Sequence, residues 1–552
     1  MRRALATAGL LVLAYLGLAL LLTWPLAVHL TDSLLGTPAM DQVDTAWLRL
    51  AAARWLTGQE PGVFAPFGYD LVQVLPNLAD HLLGAPLALV LPWPLADNLW
   101  WIAVLAADGL AAHLLGRQVG GGHGAGFLSG VAFVASEPLL REVNLSHAPQ
   151  ALLFAAPLFL AALLRTLARE GRPRHAAAAG ALLALSAACY WYQALFLVVV
   201  AIPPVLAVLP RVRGERALLG RLALVVAVAA ALTAPLLAWT LHGTGPLSGL
   251  AAGGSAHLPG AGVPGLPPEH AWTFLHSGDL LWPLRLGPAR LASRVSLGLL
   301  AAVFVGARSH RGTRWPWVAA ALLVGVALMG PFLQFAGEPL RLGGHLLPLP
   351  ALLLERLSAG YARLHWPLRW GLVLPLALIP LAARAARPAL WAAAILLECL
   401  VLSPNFPLDR RDVAGFAGWR ALSSAPGPVL VLSQERGGDG PASMGLIFRA
   451  SGAPLANEVG VPPRAAQPLA FRRWQEGLAV VQWWRAVQAG RAGNLAAGAV
   501  AEARTAGIAA IALDLTPGGE RSAAERAALA AAADAALGPG EDQGCARIWW
   551  LR

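Results

Sequence analysis

Two carboxylates, Asp41 and Asp44, stand in the segment Met40-Asp41-Gln42-Val43-Asp44-Thr45-Ala46-Trp47, between the first long apolar run of the chain and the second. Carboxylates held beside a membrane face suit proton abstraction, metal binding or ion coupling. The segment belongs to a loop, 28–96, that continues through Phe64-Ala65-Pro66-Phe67-Gly68 to the pair Asp80-His81. Loops of this length are usually functional or disordered, and the aromatic and alternating apolar residues argue against disorder. A plainer role exists for each acid. Asp41 or Asp44 can cap the helix that follows, and Asp80-His81 can cap or solvate the start of the next apolar piece.

Further polar residues gather at the ends of later apolar runs. Glu137, Arg141 and His147 follow one of them, and Arg369 opens another. Guanidinium groups in such places suit bidentate recognition of phosphate. Glu137 and His147 could equally satisfy interfacial hydrogen bonds, and Arg369 could be an anchor whose charge snorkels to the headgroups. Asp108 lies inside an apolar run, where an ionisable side chain is costly and faces a polar partner.

The elements that must carry these residues are membrane helices. Of the 552 residues, 57% are hydrophobic and 13% charged, whereas about a quarter are charged in a soluble protein. Apolar runs of roughly 17–20 residues recur, the length that crosses ~30 Å of hydrocarbon as helix. The net charge of +11 comes from arginine alone, since the chain has no lysine. With the abundance of Ala, Gly and Pro, that bias is typical of a GC-rich bacterial genome. The arginines cluster in short loops: Arg2-Arg3, Arg117, Arg165 to Arg174, Arg211 to Arg221, Arg308 to Arg314, and Arg384 with Arg387. Such loops belong on the cytoplasmic side. A nucleic-acid surface would gather its charge on one domain, so nucleic acid is not an expected partner. Cys189, Cys399 and Cys545 form neither a disulfide framework nor a zinc spacing. His257, His270 and His276 are spaced unlike any common metal site.

Walking between Arg-rich and polar ends gives about eleven spans, near 5–27, 97–116, 124–139, 150–168, 176–190, 192–210, 218–239, 295–307, 315–330, 370–384 and 388–403. The piece 82–93 is too short to cross and carries prolines, which suits a juxtamembrane or re-entrant helix. The first run continues without a small-residue cleavage site and reads as a retained span. The N-terminus is therefore expected in the cytoplasm of an inner- or plasma-membrane protein. The polar segments 28–96, 241–290 and 331–369 and the C-terminal tail are expected outside.

From about Pro404 the composition becomes that of a soluble domain. Pro428 to Leu432, Ile508 to Leu513 and Ala546 to Leu551 read as strands. Residues 495–506 and 521–536 read as helices, and strands alternating with helices suggest a small α/β domain. No phosphate-cradling glycine loop or catalytic triad is visible in it. The expected fold is mainly α: a polytopic helix bundle over 1–403 with an extracytoplasmic α/β domain over 404–552.

This order of parts resembles the GT-C superfamily of membrane glycosyltransferases, in its large bacterial branch. There the first loop typically reads Gly-Asp, a few residues, then Trp. Here Met40-Asp41 stands for Gly-Asp, and Trp47 is at the matching place. Phe64 to Gly68, Ser136-Glu137-Pro138 with Ser146-His147, Trp366-Pro367-Leu368-Arg369 and Gly507-Ile508 are also similar to family positions. The acids depart from the pattern: active members often carry an adjacent pair, whereas Asp41 and Asp44 are separated by two residues. The resemblance implies a polyprenyl-phosphate-linked sugar as donor and a lipid or glycan of the envelope as acceptor, with membrane lipids around the bundle. It implies Asp41 as the base, with Asp44 beside it as a second catalytic candidate. Asp80, His81, Glu137, Arg141, His147 and Arg369 are the candidate substrate contacts. No metal ligands are assigned, and a divalent cation is the one cofactor the chemistry leaves open.

Two other readings fit the residues. A transporter or lipid flippase would show several intramembrane charges, broken helices and an internal repeat; only Asp108 and Glu398 lie deep in spans. A non-catalytic accessory protein of the envelope would need no intact acidic motif.

Overall fold

The computed structural model describes residues 2–37, 42–65, 67, 78–243, 273, 277–281, 294–309, 314–357, 361, 364, 366–434, 444–457, 469–491, 494–517 and 521–551. Asp41, His257, His270 and His276 lie outside the described residues. The chain forms two compact units. One comprises Met1–Val28, Leu75–Asp80 and Trp101–Asp409; the other comprises His29–Val74, His81–Trp100 and Arg410–Arg552.

The first unit is helical. Its elements are α1 (Arg2–Leu22), the start of α3 (Leu78–Val90), most of α4 (Leu95–Gly120), α5 (His123–Val134), α6 (Glu137–Asn144), α7 (Ala148–Ala151), α8 (Ala155–Leu167), α9 (Pro173–Cys189), α10 (Trp191–Val208) and α11 (Arg216–Gly243). After these come α12 (Leu297–Ser309), α13 (Trp315–Leu328), two short hairpins of β2 (Gln334–Phe335) with β3 (Glu338–Pro339) and β4 (Arg341–Leu342) with β5 (His345–Leu346), α14 (Pro350–Leu357), a 3-10 turn over Pro367–Leu372, α15 (Leu374–Ala382) and α16 (Pro388–Leu402). Among the described residues, five helical stretches are long and apolar enough to cross a membrane: Leu5–Leu22, Leu95–Gly120, Ala148–Leu167, Trp191–Arg213 and Arg216–Ala238. Other spans expected from the sequence form shorter apolar helices, among them His123–Val134, Leu297–Ser309, Trp315–Leu328 and Pro388–Leu402.

Small residues let these helices approach closely. A Cβ on Gly180 of α9 would sit 2.6 Å from the Val225 carbonyl oxygen of α11. Without a hydrophobic force between helices in lipid, such backbone proximity supplies the packing. Glu398 of α16, which sequence alone places as a charge deep in a span, serves the start of α12. It accepts from Ser296 Oγ at 2.7 Å and from the backbone N–H groups of Leu297 and Gly298 at 3.0 Å each. Asp108 does a similar service, accepting the Leu153 N–H at 3.0 Å where α7 breaks from α8. Both acids hold helix ends.

The second unit is built on a four-stranded sheet in the order β7 (Val429–Leu432), β8 (Ala510–Asp514), β10 (Ala546–Trp550), β9 (Glu541–Asp542). β7 and β8 run parallel, pairing Val429 with Ala510 and Leu432 with Leu513; β10 is antiparallel to both its neighbours. Parallel pairing requires a long crossover. It is supplied by α17 (Met444–Ser451), α18 (Leu469–Gly477), α19 (Ala479–Gln488) and α20 (Ala499–Thr505), before α21 (Ala523–Leu537) returns toward β10. The period of two along each strand decides the two faces. Val429, Val431, Ala512 and Ile548 pack on one side with Trp419, Phe448 and Phe471, together with Trp47, Leu48 and Phe64 from the first loop. Leu430, Leu432, Ile511 and Trp549 pack on the other with Trp483, Trp484 and Leu529. The loop also supplies β1 (Ser33–Leu35), antiparallel to β6 (Arg410–Asp412), and α2 (Gln42–Leu56). The aromatic residues that argue against disorder in this loop are thus core residues of the unit that holds the sheet.

Asp97, in the first turn of α4, is buried between two arginines of this unit. Arg49 Nη1 donates at 3.0 Å and Arg449 Nε at 3.4 Å. Removing the carboxylate from such a group leaves buried cations together. Asp97→Asn is therefore expected to cost about 3–5 kcal/mol of stability, read as a lowered midpoint of thermal unfolding in detergent; an unchanged midpoint would remove this network from the account.

Candidate phosphate-binding cluster

α6 is short and wholly buried, every residue from Glu137 to Asn144 included. Pro138 stands in its first turn, a ring with no N–H to lose there. Its polar side chains must therefore find partners inside the protein. Glu137 accepts from Asn405 Nδ2 at 3.0 Å and lies 3.6 Å from Arg294 Nε. Asn144 accepts the Asp409 N–H at 2.7 Å. These contacts tie α6 to the segment that follows α16.

The centre of the site is Glu142, which is fully buried. Arg141 donates to its Oε1 from Nε at 3.1 Å and from Nη2 at 2.5 Å. On the other oxygen, His147 Nδ1 lies at 2.6 Å and Arg369 Nε at 3.5 Å. A carboxylate only accepts, so the contact with Glu142 calls for a proton on Nδ1. The turn that brings His147 back is tight. Ser146 takes φ of +59°, and the His147 N–H donates to the Glu142 carbonyl at 2.8 Å.

Arg369 is held from several directions. Its Nη1 donates to the Tyr190 hydroxyl at 2.9 Å, and its guanidinium lies 4.9 Å from the Trp366 ring centre and 5.5 Å from that of Tyr190. His147 meets Trp366 edge-on at 5.7 Å. Stacking of this kind fixes the plane of the guanidinium, and Nη2 lies 3.3 Å from His147 Nδ1.

Burial alone would raise the Glu142 carboxyl, but Arg141, Arg369 and His147 outweigh it and hold it well below the usual carboxylate range. The sign of the pH effect follows. Stability from this ionised group is complete above the unfolded carboxylate value, about 4.3, and is lost as pH falls through the lower folded value. Among the described residues, two guanidiniums and an imidazole converge on this one carboxylate. Guanidinium groups brought together in this way are of the kind that recognises a phosphate ester.

Of the residues expected from the sequence, Arg141, His147 and Arg369 come together here. Glu137 stands at the opposite end of α6 with Asn405 and Arg294. Asp80 and His81 are buried in the first turn of α3. Asp44 falls in the first turn of α2, where the structure describes its helical backbone, and Asp41 is outside the described residues. Glu142, Tyr190 and Trp366 complete the cluster and were not among the expected contacts. Among the described residues no three His, Cys, Asp or Glu side chains are grouped so as to hold a metal ion. Both oxygens of Glu142 already face Arg141, His147 and Arg369, an arrangement that does not suit a divalent cation.

No protein-family model matches the chain, and no curated protein does. Among solved structures the chain is similar to the arabinofuranosyltransferase AftD from Mycobacteria, seen by single-particle cryo-EM. The TM-score is 0.47 and the identity 18%; the match covers 92% of this chain and 36% of that one. The chain thus spans about a third of that enzyme's length.

Proposed function

We propose that this chain is a membrane glycosyltransferase of the GT-C type, moving a sugar from a polyprenyl-phosphate donor to an acceptor of the cell envelope. The observation that carries the reading is the convergence of Arg141, His147 and Arg369 on the buried Glu142 in a unit of apolar helices. A lipid-borne phosphate is the anion such a protein meets. The first-loop motif Asp41 to Trp47 adds the acid the reaction requires.

In the proposed step the acceptor oxygen forms a bond to the sugar C1 while the bond from C1 to the phosphate oxygen breaks. The acceptor proton passes to Asp41, and the bonding pair leaves with the polyprenyl phosphate, whose added negative charge Arg369 and Arg141 stabilise. Attack opposite the leaving group inverts C1. Residues 404–552 serve acceptor recognition or cover the site and do no chemistry; the Arg-rich helix ends face the cytoplasm.

Binding tests the carrying observation. Polyprenyl phosphate should bind the purified protein, and Arg369→Gln should weaken that binding about tenfold or more, as expected for a lost charge-assisted pair of hydrogen bonds. Equal binding by a folded Arg369→Gln protein would take the phosphate away from this cluster.

A further inference from the structure

α4, α8 and α9 leave a groove of about 610 Å³ at their Arg-rich ends. Its floor is apolar: Leu114, Leu158 and Leu182 line it, and the small side chains of Ala161, Ala162 and Ala178 leave the space. Its mouth carries Arg117, Arg165 and His175. The walls are tied together, since Gln118 Nε2 donates to the Ala161 carbonyl at 3.0 Å and Arg221 to the Gly171 carbonyl.

The charge at the mouth is uncompensated. Glu215 is already paired with Arg211 at 2.8 Å and with Arg221, and Glu170 is exposed to solvent. Arg117, Arg165, Arg172 and Arg174 have no carboxylate partner among the described residues. His175 registers the resulting field: partial loss of solvent, together with Arg174, Arg165, Arg172 and Arg221, pulls its imidazole below the ordinary value.

We propose that this groove binds an anionic phospholipid, its phosphate on Arg117, Arg165 and His175 and one acyl chain along the leucine and alanine floor. A basic mouth between membrane helices at one leaflet is what acidic headgroups recognise. The apolar floor selects a lipid over a soluble anion, which would gain only the mouth. This site is separate from the Glu142 cluster and does not depend on the transfer reaction.

Native mass spectrometry of the purified protein tests it, with phosphatidylglycerol, phosphatidylcholine of the same acyl chains, and glycerol phosphate as probes. The protein should retain phosphatidylglycerol about tenfold better than phosphatidylcholine, and Arg117→Gln with Arg165→Gln should abolish the preference. Arg308→Gln, at another helix end, should leave it unchanged. Ala178→Phe, at an exposed position, should fill the floor and release the lipid, and it decides the matter if the double variant fails to fold. Undiminished preference in the double variant, undiminished retention in Ala178→Phe, or glycerol phosphate binding as tightly as the lipid would each overturn the proposal.

Discussion

Replacing Asp41 by Asn is expected to lower glycosyl transfer about 10²–10⁴-fold, the usual worth of a positioned general base. Asn keeps the size of Asp and its ability to cap a helix, and it removes only the basic carboxylate. If Asp41 served as a cap, the change would cost at most a fraction of the 0.5–2 kcal/mol, roughly, that caps contribute. The two roles therefore separate in one variant: lost turnover with retained folding for a base, retained turnover for a cap. Asp44→Asn should have a smaller effect. Transfer at the wild-type rate by a folded Asp41→Asn protein would make Asp41 structural and move the search for the base to Asp80 or Glu137.

Arg369→Gln is expected to slow transfer about 10²–10³-fold, the scale of losing one donor aimed at charge that develops in the transition state. The side chain is positioned by Tyr190, which accepts from Nη1, by His147 at 3.3 Å from Nη2, and by the rings of Tyr190 and Trp366 on its plane. Arg369→Lys should recover part of the rate, because it keeps the charge and loses the fork. Arg369 also lies 3.5 Å from Glu142, so the substitution perturbs a buried acid. Thermal unfolding of each variant separates that loss from the catalytic one. If Lys and Gln were equally slow and equally folded, the charge of Arg369 would have no part in the reaction.

The sequence made some of this legible. Arg141, His147 and Arg369 are polar residues at the ends of apolar runs, and that position alone marks them. Glu142 was hidden by its neighbour. Adjacent residues on a helix do not ordinarily face each other, so the sequence gives no sign that Arg141 meets Glu142, and only the complete burial of α6 forces them together. Nothing local in the sequence marks Tyr190 as a partner of Arg369, 179 positions away. The strands of the C-terminal region were legible because Val429 to Leu432 and Ala510 to Leu513 are short apolar runs bounded by Pro428 and Gly507. Composition shifts near Pro404, yet the core beneath that sheet takes Trp47, Leu48 and Phe64 from more than 350 residues earlier. Long-range pairing such as Ser33 with Asp412 leaves no local periodic signal, since each strand has three residues.

The central claim is a transfer of sugar from a polyprenyl-phosphate donor, and the release of the carrier measures it directly. Protein reconstituted in vesicles with a panel of labelled polyprenyl-phosphate sugars should liberate polyprenyl phosphate only when an envelope-glycan acceptor is present. Asp41→Asn vesicles should liberate almost none. Binding of polyprenyl phosphate by the wild type with no acceptor-dependent release from any donor of the panel would contradict a glycosyltransferase and leave a lipid-phosphate-binding accessory protein in its place.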